Sequence, residues 1–151
     1  MAANAQDLQF IAQAAQSGTT DIADGLLAAQ LSGSPAVNQL GVQEVTDHVS
    51  LNNLLLFITQ TDGLPTPPAL TPLYQSQANS AKYQFGPNSD QQYLMKEVLG
   101  HQQDLNLYQT EAANGQDPLL RSFAQGSIPV LQQHLSTATN LLNFGDTYGY
   151  V

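Results

Sequence analysis

Leu94–Tyr108, LMKEVLGHQQDLNLY, is the stretch on which the fold turns. Its Leu94, Val98, His101, Leu105 and Tyr108 recur at alternating four- and three-residue spacing, the period of a helix that turns one apolar stripe toward other helices. His101 takes the place of a core leucine in that stripe. A histidine so placed needs a partner for its ring nitrogens.

Outward from this segment the chain repeats the pattern. Ser89 to Gln92 has capping-box spacing and Gly115 sits where a terminator belongs, so a helix is expected over 90–114. Asp117 and Pro118 open the next, over 118–144, which carries Leu120, Phe123, Leu131, His134, Ala138 and Leu141 inward and ends near Gly145. Pro129 removes one backbone hydrogen bond there and is expected to kink the helix a turn before His134. Toward the N-terminus, Ser34 and Pro35 start a helix over 35–62 that stops at Gly63. Its seam runs Val37, Gly41, Glu44, His48, Leu51, Leu55 and Ile58, putting Glu44 and His48 on one inward face. A first helix over 7–32 carries Leu8, Ile11, Ala15, Ile22, Leu26 and Ala29, with Gly33 as terminator. On its neighbouring seam Asp21 faces inward or borders the core. The connection from Gly63 to Asn88 is rich in proline, and Thr71–Pro72 suggests a short helix near Pro72 to Tyr83. The sum is an all-α four-helix bundle forming a single domain over 1–151, with an extra short helix in the long middle connection. That connection could return at one end or cross the bundle.

Composition narrows the function. Twelve acids against three bases give a net charge of −9. Nucleic acid and anionic membrane both require a basic face, which Lys82, Lys96 and Arg121 cannot build, whereas cations are natural counter-ligands. No cysteine is present, which removes thiolate catalysis, zinc knuckles and disulfides. The longest apolar run, Leu54 to Ile58, is far short of the ~20 residues of a membrane-spanning helix. No nucleophile elbow or phosphate loop surrounds any serine, so no catalytic or organic-cofactor residues are assigned and the reading leans away from an enzyme.

The three histidines, His48, His101 and His134, all fall on inward seams of three different helices. If each had roughly three chances in seven of facing inward, all three would do so by accident somewhat under one time in ten. At ~1.5 Å rise per residue, Asp21, His48 and His101 share a level near mid-helix, and His134 lies within about two turns of it. Carboxylates accompany them: Asp21 and Asp24, Glu44 and Asp47, Glu97 and Asp104. Histidine with carboxylate and no sulfur suits zinc, iron, copper or manganese, so Asp21, Glu44, His48, Glu97, His101 and His134 are the candidate ligands. The Glu-x-x-His pairs of carboxylate-bridged di-iron proteins are absent: here the spacings are Glu44-x-x-x-His48 and Glu97-x-x-x-His101, and Leu131 stands three before His134. If neutral imidazoles bind the ion, affinity is expected to fall as pH drops through about 6.5.

Four segments carry a likeness beyond this reading: QFIAQAAQSGTTDIADGLLAAQ, the TDH of Thr46 to His48, DQQYLMKEVLGHQQDLNLYQ, and DPLLRSFAQGSIPVLQQHL. Together the chain resembles the ferritin-like domain of unknown function family 4142, found in bacterial exported proteins. The resemblance implies a ferritin-like bundle, usually sent to the periplasm or cell surface, with His48, His101 and His134 at recurring histidine positions and Asp21 where a glutamate is common. It implies no established activity. Met1 before Ala2, Ala3, Asn4 and Ala5 reads as a start placed on a processed chain, which fits an exported protein whose signal peptide is not in this sequence. The expected function is that of an exported bundle binding a transition metal ion. The alternatives are an envelope structural or stress-response module whose His/carboxylate network only fixes register, and a hydrolase using metal-bound water, which would need an open coordination position. Protein partners and oligomeric state are not specified by these features.

Overall fold

The computed structural model describes residues 3–71 and 88–145, and within these the chain forms four α-helices and one 3-10 turn. Helix α1 spans Ala5–Leu31, α2 Pro35–Thr61, α3 Ser89–Asn114 and α4 Pro118–Phe144, with the 3-10 turn at Pro68–Leu70. No strand occurs among the described residues. The short helix expected near Pro72 to Tyr83 lies outside them.

Helix starts follow the capping chemistry, with two differences. Ser34 accepts from the Val37 amide ahead of Pro35, and Asp117 accepts from Leu119 and Leu120 ahead of Pro118. α1 begins two residues before the expected start because Asn4 and Asp7 form a reciprocal capping box, and Asp7 also faces inward. The box expected at Ser89 does not form. The chain enters α3 through Asn88 at φ 69°, a left-handed conformation that asparagine tolerates, so Ser89 falls inside the first turn. Two helix ends differ likewise. Gly63 has the positive φ of a terminator, 65°, but α1 ends on extended Ser32, where the Asn38 side-chain amide donates to the Ala28, Ala29 and Ser32 carbonyls. Gly115 is extended as well, and its missing Cβ makes room for the Glu111 carboxyl.

α1 packs along α2 and α3 along α4, and the two hairpins face each other through α1 against α3 and α2 against α4. Gln6 meets Thr110, Ser17 meets Asp104 and Asp24 meets Lys96, so α1 and α3 run antiparallel. α2 is antiparallel to α1 and hence parallel to α3. The ends joined by the long middle connection therefore lie at opposite ends of the bundle, which decides the topology. α4 continues unbroken through Pro129, which lies on the exposed face together with Gln125, the residue whose carbonyl loses its donor.

The core falls into two apolar clusters. One gathers Phe10, Ile11, Leu55, Tyr108, Leu120, Phe123 and Leu131, with the Phe10 ring edge-on to Tyr108 at 5.0 Å. The other gathers Ala28, Val37, Leu40, Tyr93, Leu94 and Ala138. Between them lies a layer of buried charge and imidazole. α1 and α2 approach closely at that level: a Cβ on Gly41 would stand 2.5 Å from the Gly25 carbonyl oxygen. Gly41 is one turn from Glu44, so this contact carries the Glu44 backbone into the bundle.

Candidate metal centre

Each helix delivers its part of the polar layer by periodicity. On α2, Glu44 and His48 are one turn apart; on α3, Glu97 and His101 repeat that spacing. Since α2 and α3 run parallel, both glutamates lie on the same side of the histidines. α4 contributes His134 and α1 contributes Asp21. His48, His101 and His134 are at most 2% exposed and Glu44 is fully buried.

One carboxylate oxygen is the centre. Glu44 Oε2 lies 3.0 Å from His134 Nδ1, 3.2 Å from His48 Nε2 and 3.4 Å from His101 Nε2. His101 Nε2 and His134 Nδ1 are 3.2 Å apart. Donor atoms about 2.1 Å from one tetrahedral ion are separated by about 3.4 Å, and these distances cluster close to that value. One donor atom from each of Glu44, His48, His101 and His134 lies within 4.8 Å of all the others, so this group could hold a metal ion.

The hydrogen bonds fix a proton on the outer nitrogen of two rings. His101 Nδ1–H donates to the Glu97 backbone carbonyl at 3.0 Å, and His134 Nε2–H donates to Asp47 Oδ2 at 2.8 Å. Neither a carbonyl nor an ionised carboxylate donates, so each outer nitrogen holds a proton, and in a neutral ring the inner nitrogen then presents a lone pair toward Glu44. Such outer partners are what orient metal-ligating histidines. Neither Glu44 oxygen nor His48 Nε2 has a hydrogen bond, close as they stand. A buried convergence of acceptors is costly until a cation or an added proton sits within it.

The electrostatics identify that proton. Burial opposes charge on Glu44, but the three surrounding imidazoles outweigh it and hold the carboxyl below the usual range. Burial likewise opposes charge on His101, yet Glu44 pushes it up to about 9. Burial lowers His48 despite Glu44, since the other two rings add to the penalty. At neutral pH and without metal, His101 therefore carries a second proton, which a bound ion would displace.

The six candidate ligands fall into two sets. Glu44, His48, His101 and His134 converge. Asp21 Oδ2 is 3.4 Å from His48 Nε2, and Glu97 Oε2 is 3.5 Å from His101 Nδ1, the outer nitrogen of that ring. Burial raises both carboxyls well above the ordinary range; Glu97 acts next on Asp21, and Glu44 next on Glu97. Asp47 is the residue whose part sequence reasoning missed. It stands three residues after Glu44, on the inward side of the Glu44–His48 turn, which was the available signal.

No curated protein and no solved structure matches the chain. Residues 1–141 match the family described as a domain of unknown function, DUF4142. The four segments noted in the sequence, the bundle they build and this match over nearly the whole chain agree: the protein belongs to the DUF4142 family.

Proposed function

We propose that this protein binds one transition-metal dication inside the bundle through Glu44, His48, His101 and His134, with Asp47 and the Glu97 carbonyl orienting two of the rings. The observation that carries the reading is the facing of two inner imidazole nitrogens, each of which is a free acceptor in the neutral ring because the outward bond takes the proton of the other nitrogen. Three imidazoles and one carboxylate suit Zn²⁺, Cu²⁺ or Fe²⁺, with Cu²⁺ and Zn²⁺ the tighter binders of a given site. Four protein donors would complete a tetrahedron and leave no open position, which favours binding over hydrolysis by metal-bound water. We also propose that the protein acts outside the cytoplasm, a reading supported by the family resemblance.

The rival is a structural polar network, and the elevated His101 supports it, because one imidazolium supplies the proton that the acceptors lack. Chelator-stripped protein at pH 7.5 separates the two. Under the metal reading Zn²⁺ returns at one ion per chain, and a hundredfold excess over Kd adds about 2.7 kcal/mol, raising the melting midpoint by roughly 5–10 °C. His101→Ala loses that gain. No bound metal and an unchanged midpoint with Zn²⁺, Cu²⁺ and Fe²⁺ would leave the structural network as the function of the layer.

A further inference from the structure

Glu44, His48, His101 and His134 are all but sealed from solvent, so an ion must pass between two helices to reach them. Four seams surround the layer, and three are closed. Between α1 and α2 the backbones nearly touch, with a Cβ on Gly41 standing 2.5 Å from the Gly25 carbonyl oxygen. Between α1 and α3, Ser17 Oγ donates to Asp104 Oδ2 at 2.6 Å and Lys96 pairs with Asp24, both acids being buried. Between α3 and α4 the filling is apolar. Val98 and Leu105 flank His101, Leu131 and Ala138 flank His134, and all four lie in or against the two core clusters.

The α2–α4 seam is different. Among the described residues, the hydrogen bond that spans it is His134 Nε2–H to Asp47 Oδ2, at 2.8 Å. The Asp47 side chain is 33% exposed, whereas the other carboxyls beside the rings, Asp21, Glu44 and Glu97, are at most 8% exposed. His134 spans what remains: its outer nitrogen meets Asp47, and its inner nitrogen lies 3.0 Å from Glu44 Oε2. One ring separates a solvent-facing carboxylate from the buried centre.

We infer that the dication enters and leaves through the α2–α4 seam, met first by the Asp47 carboxylate and passed inward as the His134 ring turns aside. This rests on the metal reading of the histidine site. Asp47 offers an anionic oxygen at the surface, where it draws a hydrated cation from solution. A cation on that oxygen competes with the His134 N–H for it, so capture itself releases the outer side of the ring. Asp47 then has two parts, orienting His134 in the loaded site and carrying the ion past it during exchange. The two parts leave opposite kinetic signatures. Loss of an orienting group speeds release of the metal, whereas loss of a group that serves passage slows entry and release together.

The test is stopped-flow mixing of the chelator-stripped full chain with Zn²⁺, and release of bound Zn²⁺ into excess chelator, with circular dichroism reporting the fold of each variant. Asp47→Asn keeps a carbonyl oxygen for the His134 N–H and loses only the charge. Its association with Zn²⁺ should slow by about tenfold and its release should slow as well, so that Kd changes less than the association rate. Added salt should slow association more in the wild type than in this variant. Asp47→Glu restores the carboxylate and should return both rates toward those of the wild type. Asp62→Asn, at an exposed acid where α2 ends, should change neither. Faster release from Asp47→Asn with association unchanged overturns the inference and makes Asp47 an orienting group alone. Unchanged rates in that variant overturn it too, and both results leave the histidine site standing. A wild type that binds no zinc overturns the metal reading and the route with it.

Discussion

His101 Nε2 and His134 Nδ1 face each other at 3.2 Å while the opposite nitrogen of each ring is bonded outward, one to the Glu97 carbonyl and the other to Asp47. Neutral rings held in this way would set lone pair against lone pair. The contact is satisfied by a proton held between the rings or by a cation that both ligate. Proton and metal thus compete for one position, and much of the expected behaviour follows from that competition.

Metal affinity should depend on pH well above the ordinary histidine range. With His101 pushed up to about 9, binding below that value displaces a proton, so affinity rises by up to about tenfold per unit between pH 7 and 9. The sign for the metal-free protein is opposite. Its His101 pKa is raised on folding, so the stability it contributes is fully present below about 6.5 and is lost as pH climbs through about 9. Chelator-competition titrations and melting midpoints at pH 6.5, 7.5 and 8.5 check both. Affinity that changes only below pH 6.5 would return the expectation drawn from unperturbed histidines.

Asp47→Ala should weaken Zn²⁺ binding by roughly 10- to 100-fold, because His134 loses the acceptor that fixes its outer proton. The fold should survive, since the Asp47 side chain is a third exposed. Isothermal titration alongside circular dichroism measures both, and unchanged affinity would mean that His134 does not bind through Nδ1.

Far from the metal layer, Asp7 and Glu111 form a second carboxyl pair. Asp7 accepts from the amides of Asn4, Gln116 and Asp117 and is held below the usual range by them and Glu111, against the effect of its burial. Burial, with Asp7 next, pushes Glu111 up to about 7. A carboxyl raised on folding favours the native state when protonated, so stability should fall as pH rises from about 4.5 through 7. Glu111→Gln keeps a donor toward Asp7 and should flatten its share of that slope in denaturant titrations at pH 5 and 7.5. An unchanged slope would show that the pair does not share a proton.

Gly41→Ala should destabilise the protein by about 1–3 kcal/mol, since its Cβ would meet the Gly25 carbonyl at 2.5 Å and the Ala29 amide nitrogen at 2.7 Å, both backbone atoms that cannot swing aside. Separation of α1 and α2 at this level also shifts Glu44, so metal affinity should fall with stability. Chemical denaturation of the metal-free protein isolates the packing cost. A loss within ±0.5 kcal/mol would mean that the helices are less closely held than the backbone contact implies.

Residue spacing by itself determined that there are four helices, where two of them start, and that Glu44, His48, His101 and His134 face inward, because a 3.6-residue period sets the angle of every side chain around its own axis. Cap-and-proline pairs such as Ser34–Pro35 and Asp117–Pro118 act within one turn, so they were legible without the fold. Asn88 and Asp7 were not, since a left-handed entry and an inward-facing capping residue depend on where the chain must go next. The tertiary structure alone decided how the helices slide and rotate against one another. That relative placement made α2 and α3 parallel, brought Glu44 Oε2 among three rings, gave His134 to Asp47, and left Asp21 and Glu97 beside the convergent group. Periodicity specifies a direction to within about a helix face, whereas ligation and hydrogen bonding are decided over tenths of an ångström by packing between helices distant in sequence.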